Sequence, residues 1–206
     1  MKPCLFNTEM VRGLLDGTKT VTRRVVNPHY RNGEAGFRIV TNAHTGQYVR
    51  IEIFDEWEDE TRWLSDPYRP GDILYVRETW QYGFGGTYLY KASAGHDLFM
   101  TADGELVSDI PWRPSILMPR EAARIFLRVT DVRVERLWNI TDDDLMRDFG
   151  FCPDAIKAVG RDAIARPFWD NTINPAGRDI FGWDANPWVW VIEFKRIGKE
   201  EALKNA

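Results

Sequence analysis

The chain has 206 residues and a mass of 23.9 kDa, with 44% hydrophobic and 28% charged side chains, which suits one globular domain with a sizeable core. A net charge of −4 and a pI near 5.5 argue against non-specific duplex binding, which needs a basic surface to neutralise phosphates, so a nucleic-acid role must rest on a local basic patch or a nucleoside-sized substrate. Cys4 and Cys152 form no CxxC pair, which excludes a disulfide scaffold and points to a reducing, cytoplasmic setting; no stretch approaches the ~18 apolar residues of a membrane span.

In chain order, Asn7 or Thr8 caps a first helix whose apolar stripe is Met10, Val11, Leu14 and Leu15, and Gly17 ends it. Thr20 to Val26 is β-branched and reads as a strand closed by Pro28, and Gln47 to Phe54 alternates as a second strand. Residues 55–66 are acidic and read as a solvated loop. Arg69-Pro70-Gly71-Asp72 is a turn that launches a strand from Ile73 to Trp80, and Gly83-Phe84-Gly85-Gly86 is a turn before the short strand Tyr88 to Lys91. From Ser93 to Pro119 the pattern weakens. Ala123 to Leu137 alternates over an unusual length, and Thr141 with Asp144 is a capping-box variant opening a helix with Leu145 and Phe149. Asp154 to Ala165 reads as a further helix, and Trp188 to Ile197 as a central strand. Short strands, few helices and no βαβ rhythm predict an α+β fold built on a barrel.

Phosphate-loop and nucleophile-elbow signatures are missing, and His29, His44 and His96 stand alone without a second ligand at metal spacing, so no metal or cofactor is expected. The segment Gly17-Thr18-Lys19-Thr20-Val21-Thr22-Arg23-Arg24 clusters hydroxyls and cations where a helix turns into a strand. Lys19 and Thr22 converge only if Lys19 belongs to the turn, because side chains alternate along a strand. There Arg23 and Arg24 would lower the lysine pKa, and a neutral lysine can activate a threonine hydroxyl. A solvated basic turn is the competing explanation. Asp148 lies three residues after Leu145 and sits at the margin of the buried stripe, where a raised pKa would suit a general acid. Glu78 is the competing carboxylate, or merely a partner for Arg77. Trp188 and Trp190 share one strand face and could floor a base-stacking pocket, although core packing accounts for them equally well.

Together these features resemble the ASCH family, a branch of the PUA-like β-barrels. The matching stretches are Leu14 to Arg24, Pro70-Gly71-Asp72-Ile73-Leu74-Tyr75-Val76, Val129 to Asp148, and Trp190-Val191-Ile192-Glu193-Phe194. The chain is also similar to the larger ASCH-domain proteins of phages and prophages. The resemblance implies a PUA-like barrel with flanking helices over residues 1–198, insertions near 27–69 and 81–120, and a disordered tail at 199–206. One branch, the bacterial N(4)-acetylcytidine amidohydrolases, uses a lysine, a threonine and a distal glutamate, which fall on Lys19, Thr22 and, with aspartate in place of glutamate, Asp148. The implied reaction is hydrolysis of an acyl amide on a modified cytosine nucleoside or related base, with Thr22 as nucleophile, Lys19 as base and Asp148 as acid. Arg23, Arg24, Arg77, Glu78, Trp80, Trp188 and Trp190 would bind the substrate. The alternatives are a non-catalytic binder of single-stranded RNA or modified nucleobases, and a ribonuclease.

Overall fold

The computed structural model describes residues 1–27, 34–45, 48–94, 99–100, 103–107 and 109–204, with the backbone alone for Thr61, Phe99 and Val107. Pro28, His29, Gln47 and His96 lie outside the described residues. The strands are β1 (Lys2–Leu5), β2 (Val21–Val25), β3 (Glu34–Thr41), β4 (Tyr48–Asp55), β5 (Glu60–Leu64), β6 (Ile73–Arg77), β7 (Trp80–Tyr82), β8 (Tyr88–Tyr90), β9 (Phe99–Met100), β10 (Leu106–Val107), β11 (Phe126–Arg136) and β12 (Trp188–Ile197). The α-helices are α1 (Thr8–Asp16), α2 (Asp142–Phe149), α3 (Pro153–Val159), α4 (Arg161–Asp170), α5 (Arg178–Phe181) and α6 (Lys199–Lys204).

The fold is mixed α+β, organised on a five-stranded sheet in the order β1-β6-β11-β12-β2. Only the β1–β6 pair in this sheet is parallel; its other pairs are antiparallel. Long β11 and β12 form its spine; β12 is apolar over its first half because both of its faces are covered there, whereas β11 carries alternating charges from Asp131 onward. One face carries Leu127, Val129, Trp190, Ile192 and Phe194 and packs against Val11 and Leu14 of α1 and Ile51 of β4. On the other face Val21, Val189 and Val191 meet Leu145 of α2, Ile156 of α3 and Ile164 and Trp169 of α4. A third cluster gathers Ile73, Phe126 and Ile197 with Trp80 and Met118.

Among the described residues the expected barrel is not closed, because the backbone ladder is open and β1 and β2 are its edges. Side chains satisfy edge groups that a closing ladder would otherwise use. Thr20 O accepts from Phe194 N on β12, so the alternate carbonyl, that of Val21, faces away from the sheet and accepts from the Lys19 ammonium. Arg24 donates to Leu5 O at 2.7 Å, spanning from β2 to the end of β1 without a strand pair.

Four local expectations need correction. Residues 55–66 contain β5, because the acidic tip Asp55–Asp59 turns the chain back onto β4 and the region 34–64 forms a three-stranded sheet, β3-β4-β5. The strand expected to run from Ile73 to Trp80 stops at Arg77, and Trp80 begins a separate hairpin with β8. The helix expected over 154–165 is two helices, since Gly160 adopts φ 94° and breaks the run. The tail expected to be disordered is helical over Lys199–Lys204, because Ala202 is fully buried in the third cluster.

Candidate active site

The turn carrying Lys19 is fixed from both sides. Asn7 caps α1 by accepting from Met10 N at 2.9 Å, and Gly17, at φ 86°, ends the helix in the left-handed region that favours glycine. The chain then doubles back, so that Lys19 N donates to Gly13 O at 2.9 Å and Thr20 N to Arg147 O at 3.1 Å. A Cβ on Gly13 would stand 3.2 Å from the Lys19 Cβ, so glycine in this helix permits the close approach. The opposing element, α2, starts in a reciprocal capping box between Thr141 and Asp144, and its last turn places Asp148 against the lysine.

Lys19 and Asp148 are 129 residues apart in sequence, only 4% and 3% exposed, and joined in a buried ion pair. The ammonium spends all three donors, on Asp148 Oδ1, on the Asp148 carbonyl at 2.8 Å and on the Val21 carbonyl at 2.9 Å. It thereby caps the C-terminal end of α2, where the helix dipole favours a cation. Burial pushes the Lys19 pKa down; Asp148 opposes that shift, while Arg24 and Arg23 add to it.

Arg23 holds the second oxygen of Asp148, donating to Oδ2 at 3.3 Å. Its other amino group reaches Asp144 Oδ2 at 2.9 Å and Glu135 Oε1 at 3.1 Å, so one buried guanidinium serves three carboxylates. Burial would raise the pKa of Asp144, but Arg23 and the Thr141 bonds outweigh it and hold this carboxyl below its ordinary value. The network continues outward from Glu135 to Arg133, from Arg133 to Glu193, and from Glu193 to Arg147 at 2.7 Å.

Lys19 and Asp148 line a cavity of about 540 Å³, within the range of small-molecule sites. Phe149, Phe151 and Phe168 wall it, the Phe151 and Phe168 rings meeting edge to face at 4.8 Å. Asp16, Asn171 and Thr172 add polar groups to the lining.

The remaining expected site residues are scattered. Thr22 is buried and its hydroxyl has no hydrogen-bond partner among the described residues. Alternation along β2 turns Val21 and Arg23 towards α2 and Thr22 and Arg24 towards the opposite face, and Thr22 is outside the cavity lining. Arg24 is occupied with Leu5 O and lies 5.3 Å from the Phe6 ring centroid. Arg77 donates to the Met118 and Ile116 carbonyls. Glu78 pairs with Arg124 instead of Arg77, and Trp80 is core in the third cluster. Trp190 is buried against Tyr48, and half-buried Trp188 lies beneath the Arg136 guanidinium at 4.4 Å. Core packing therefore accounts for both tryptophans.

Sequence reasoning missed Gly13, Asp144, Glu135 and the three phenylalanines. Gly13 was legible as a glycine interrupting a helical stripe, and Asp144 already figured as a cap. The others come from elements whose convergence no local pattern announces. No family model, curated protein or solved structure matches this chain.

Proposed function

We propose that this chain is a PUA-like protein of the ASCH type that hydrolyses an acyl amide on a modified cytosine nucleoside or a related base. The observation that carries the reading is the buried Lys19–Asp148 pair lining an aromatic-walled cavity. A proton passed from the ammonium to the carboxylate turns the pair into a neutral amine and a neutral acid, the two states that amide hydrolysis needs. Lys19 then takes the Thr22 hydroxyl proton as the threonine oxygen bonds to the acyl carbon. The C–N bond breaks, Asp148 protonates the leaving amine, and water cleaves the acyl-threonine ester to regenerate the hydroxyl. The unpartnered, buried Thr22 hydroxyl supports this role, because an unsatisfied buried hydroxyl costs about 1–3 kcal/mol and such groups merit a functional explanation. The step requires more than the reach of the acyl group: Thr22 faces away from the cavity that Lys19 and Asp148 line, so β2 must shift to bring the threonine hydroxyl to the Lys19 amine.

A second reading is a non-catalytic binder of a modified nucleobase. It is favoured by the saturation of the Lys19 ammonium, whose three donors are all engaged. Release of cytidine from N(4)-acetylcytidine, followed by chromatography, separates the two. Under the hydrolase reading, Thr22→Val abolishes release while leaving nucleoside binding largely intact. Retained turnover in Thr22→Val would assign the attack to water, and a wild-type protein that binds N(4)-acetylcytidine unchanged would establish the binder.

A further inference from the structure

The cavity's charge pattern says which form of ligand it admits. Its lining holds two cations, Arg12 and Lys19, against three carboxylates, Glu9, Asp16 and Asp148. Both cations are engaged already, Arg12 with Glu9 at 2.6 Å and Lys19 with Asp148. Asp16 has no cation partner among the described residues; its Oδ1 accepts from the backbone N–H and the hydroxyl of Thr18, at 2.9 and 2.7 Å. Those bonds, the backbone one foremost, hold its pKa below the ordinary value, so it is charged at neutral pH.

The backbone adds to the same sign. The C-terminal ends of α1, α2 and α4 all reach the lining, through Asp16, through Asp148 and Phe149, and through Phe168 and Asn171. The Lys19 ammonium caps the α2 end, however, and Arg196 donates to the Leu14 and Leu15 carbonyls of α1, so among the described residues α4 is the end that no cation holds. An uncapped helix C-terminus carries partial negative charge and disfavours an anion. Arg23 and Arg24, the cations that a phosphate would seek, are absent from the lining and engaged elsewhere.

We infer that this is an anion-excluding site, in which Asp16 and the C-terminal end of α4 admit a free nucleoside and reject its phosphates and RNA, with Asp16 as the specificity-determining residue. The inference rests on the nucleoside reading above and adds the charge state of the ligand and the residue that selects it. Phe149, Phe151 and Phe168 supply apolar faces for an uncharged base, and no phosphate partner is required.

The test is isothermal titration of wild-type protein and Asp16→Asn with cytidine, cytidine 5′-monophosphate and a short single-stranded RNA, at two salt concentrations. Asparagine keeps the Oδ1 acceptor for Thr18 and removes only the charge. Wild-type protein is expected to bind cytidine about tenfold more tightly than the monophosphate, with a gap that narrows about threefold in Asp16→Asn and narrows again on adding salt. Equal or tighter monophosphate or RNA binding would overturn the proposal, as would a gap untouched by Asp16→Asn or no cytidine binding. Cytidine binding with this selectivity but no turnover of N(4)-acetylcytidine sinks the hydrolase reading alone. Turnover without selectivity sinks the anion exclusion alone.

Discussion

Two ion pairs with buried carboxylates invite comparison, Lys19–Asp148 beneath α2 and Glu78–Arg124 at the β7–β8 end. In the second, the Arg124 fork donates to both Glu78 oxygens at 2.9 Å and lies 4.0 Å from the Tyr90 ring centroid. Both carboxylates are nearly inaccessible, so burial alone does not mark the site. The difference lies in the cation. A guanidinium stays protonated at any pH the fold survives, so the Glu78 pair is chemically inert however deep it lies. A desolvated ammonium exchanges its proton readily, and this one borders a cavity. Glu78 remained a candidate acid from sequence because neither its partner nor its surroundings could be read there.

The sharpest way to break that comparison is to remove each cation. Lys19→Met is expected to lower turnover of N(4)-acetylcytidine by about 10³-fold, while nucleoside binding measured by titration largely persists. Arg124→Met is expected to cost about 3–5 kcal/mol in urea unfolding, because it strands a buried carboxylate, and to leave kcat per folded molecule unchanged. The reverse pattern would exchange the roles of the two centres.

Arg23→Lys tests whether the site pair is positioned by its neighbours. A single ammonium cannot serve Asp148, Asp144 and Glu135 from one planar fork, so turnover should fall about tenfold and stability by about 1–3 kcal/mol. A shifted pH profile of turnover would accompany it, because Arg23 also lowers the Lys19 pKa. An unchanged profile would leave Arg23 a purely structural role.

The smallest expected effect is in acid. Asp144 and Glu193 both titrate below their ordinary values of 3.8 and 4.5, against burial, because Arg23 and Thr141 hold the first and Arg147 and Arg133 the second. Their folded-state pKa values lie below the unfolded ones, so the unfolded chain binds more protons in that window. Their stabilisation is complete above about pH 4.5 and is lost as pH falls through the depressed values. Melting temperature followed from pH 6 to pH 3 should therefore drop less steeply in Asp144→Asn than in wild-type protein. Equal slopes would remove Asp144 from the network's acid response.

Much of this was legible from local pattern. Asn7 and Gly17 bracket α1, Thr141 and Asp144 start α2, and Trp188 to Ile197 is β12 from end to end, because capping chemistry and strand periodicity act within a few residues. Lys19 and Asp148 were singled out separately, one by its place in a turn and the other by its place on a helical stripe, and they meet. The partners of the other charges were not legible. Glu78 chose Arg124, 46 residues away, over adjacent Arg77, which faces the Met118 and Ile116 carbonyls instead. Whether the sheet closes was likewise decided by side chains, with Lys19 and Arg24 taking edge carbonyls of β2 and β1. Periodicity tells which face of an element is buried, but the partner on that face comes from whichever distant segment the packing brings within bonding distance. Only the tertiary structure, therefore, separated Thr22 from the cavity, set Arg23 among three carboxylates and left Asp16 without a cation partner among the described residues.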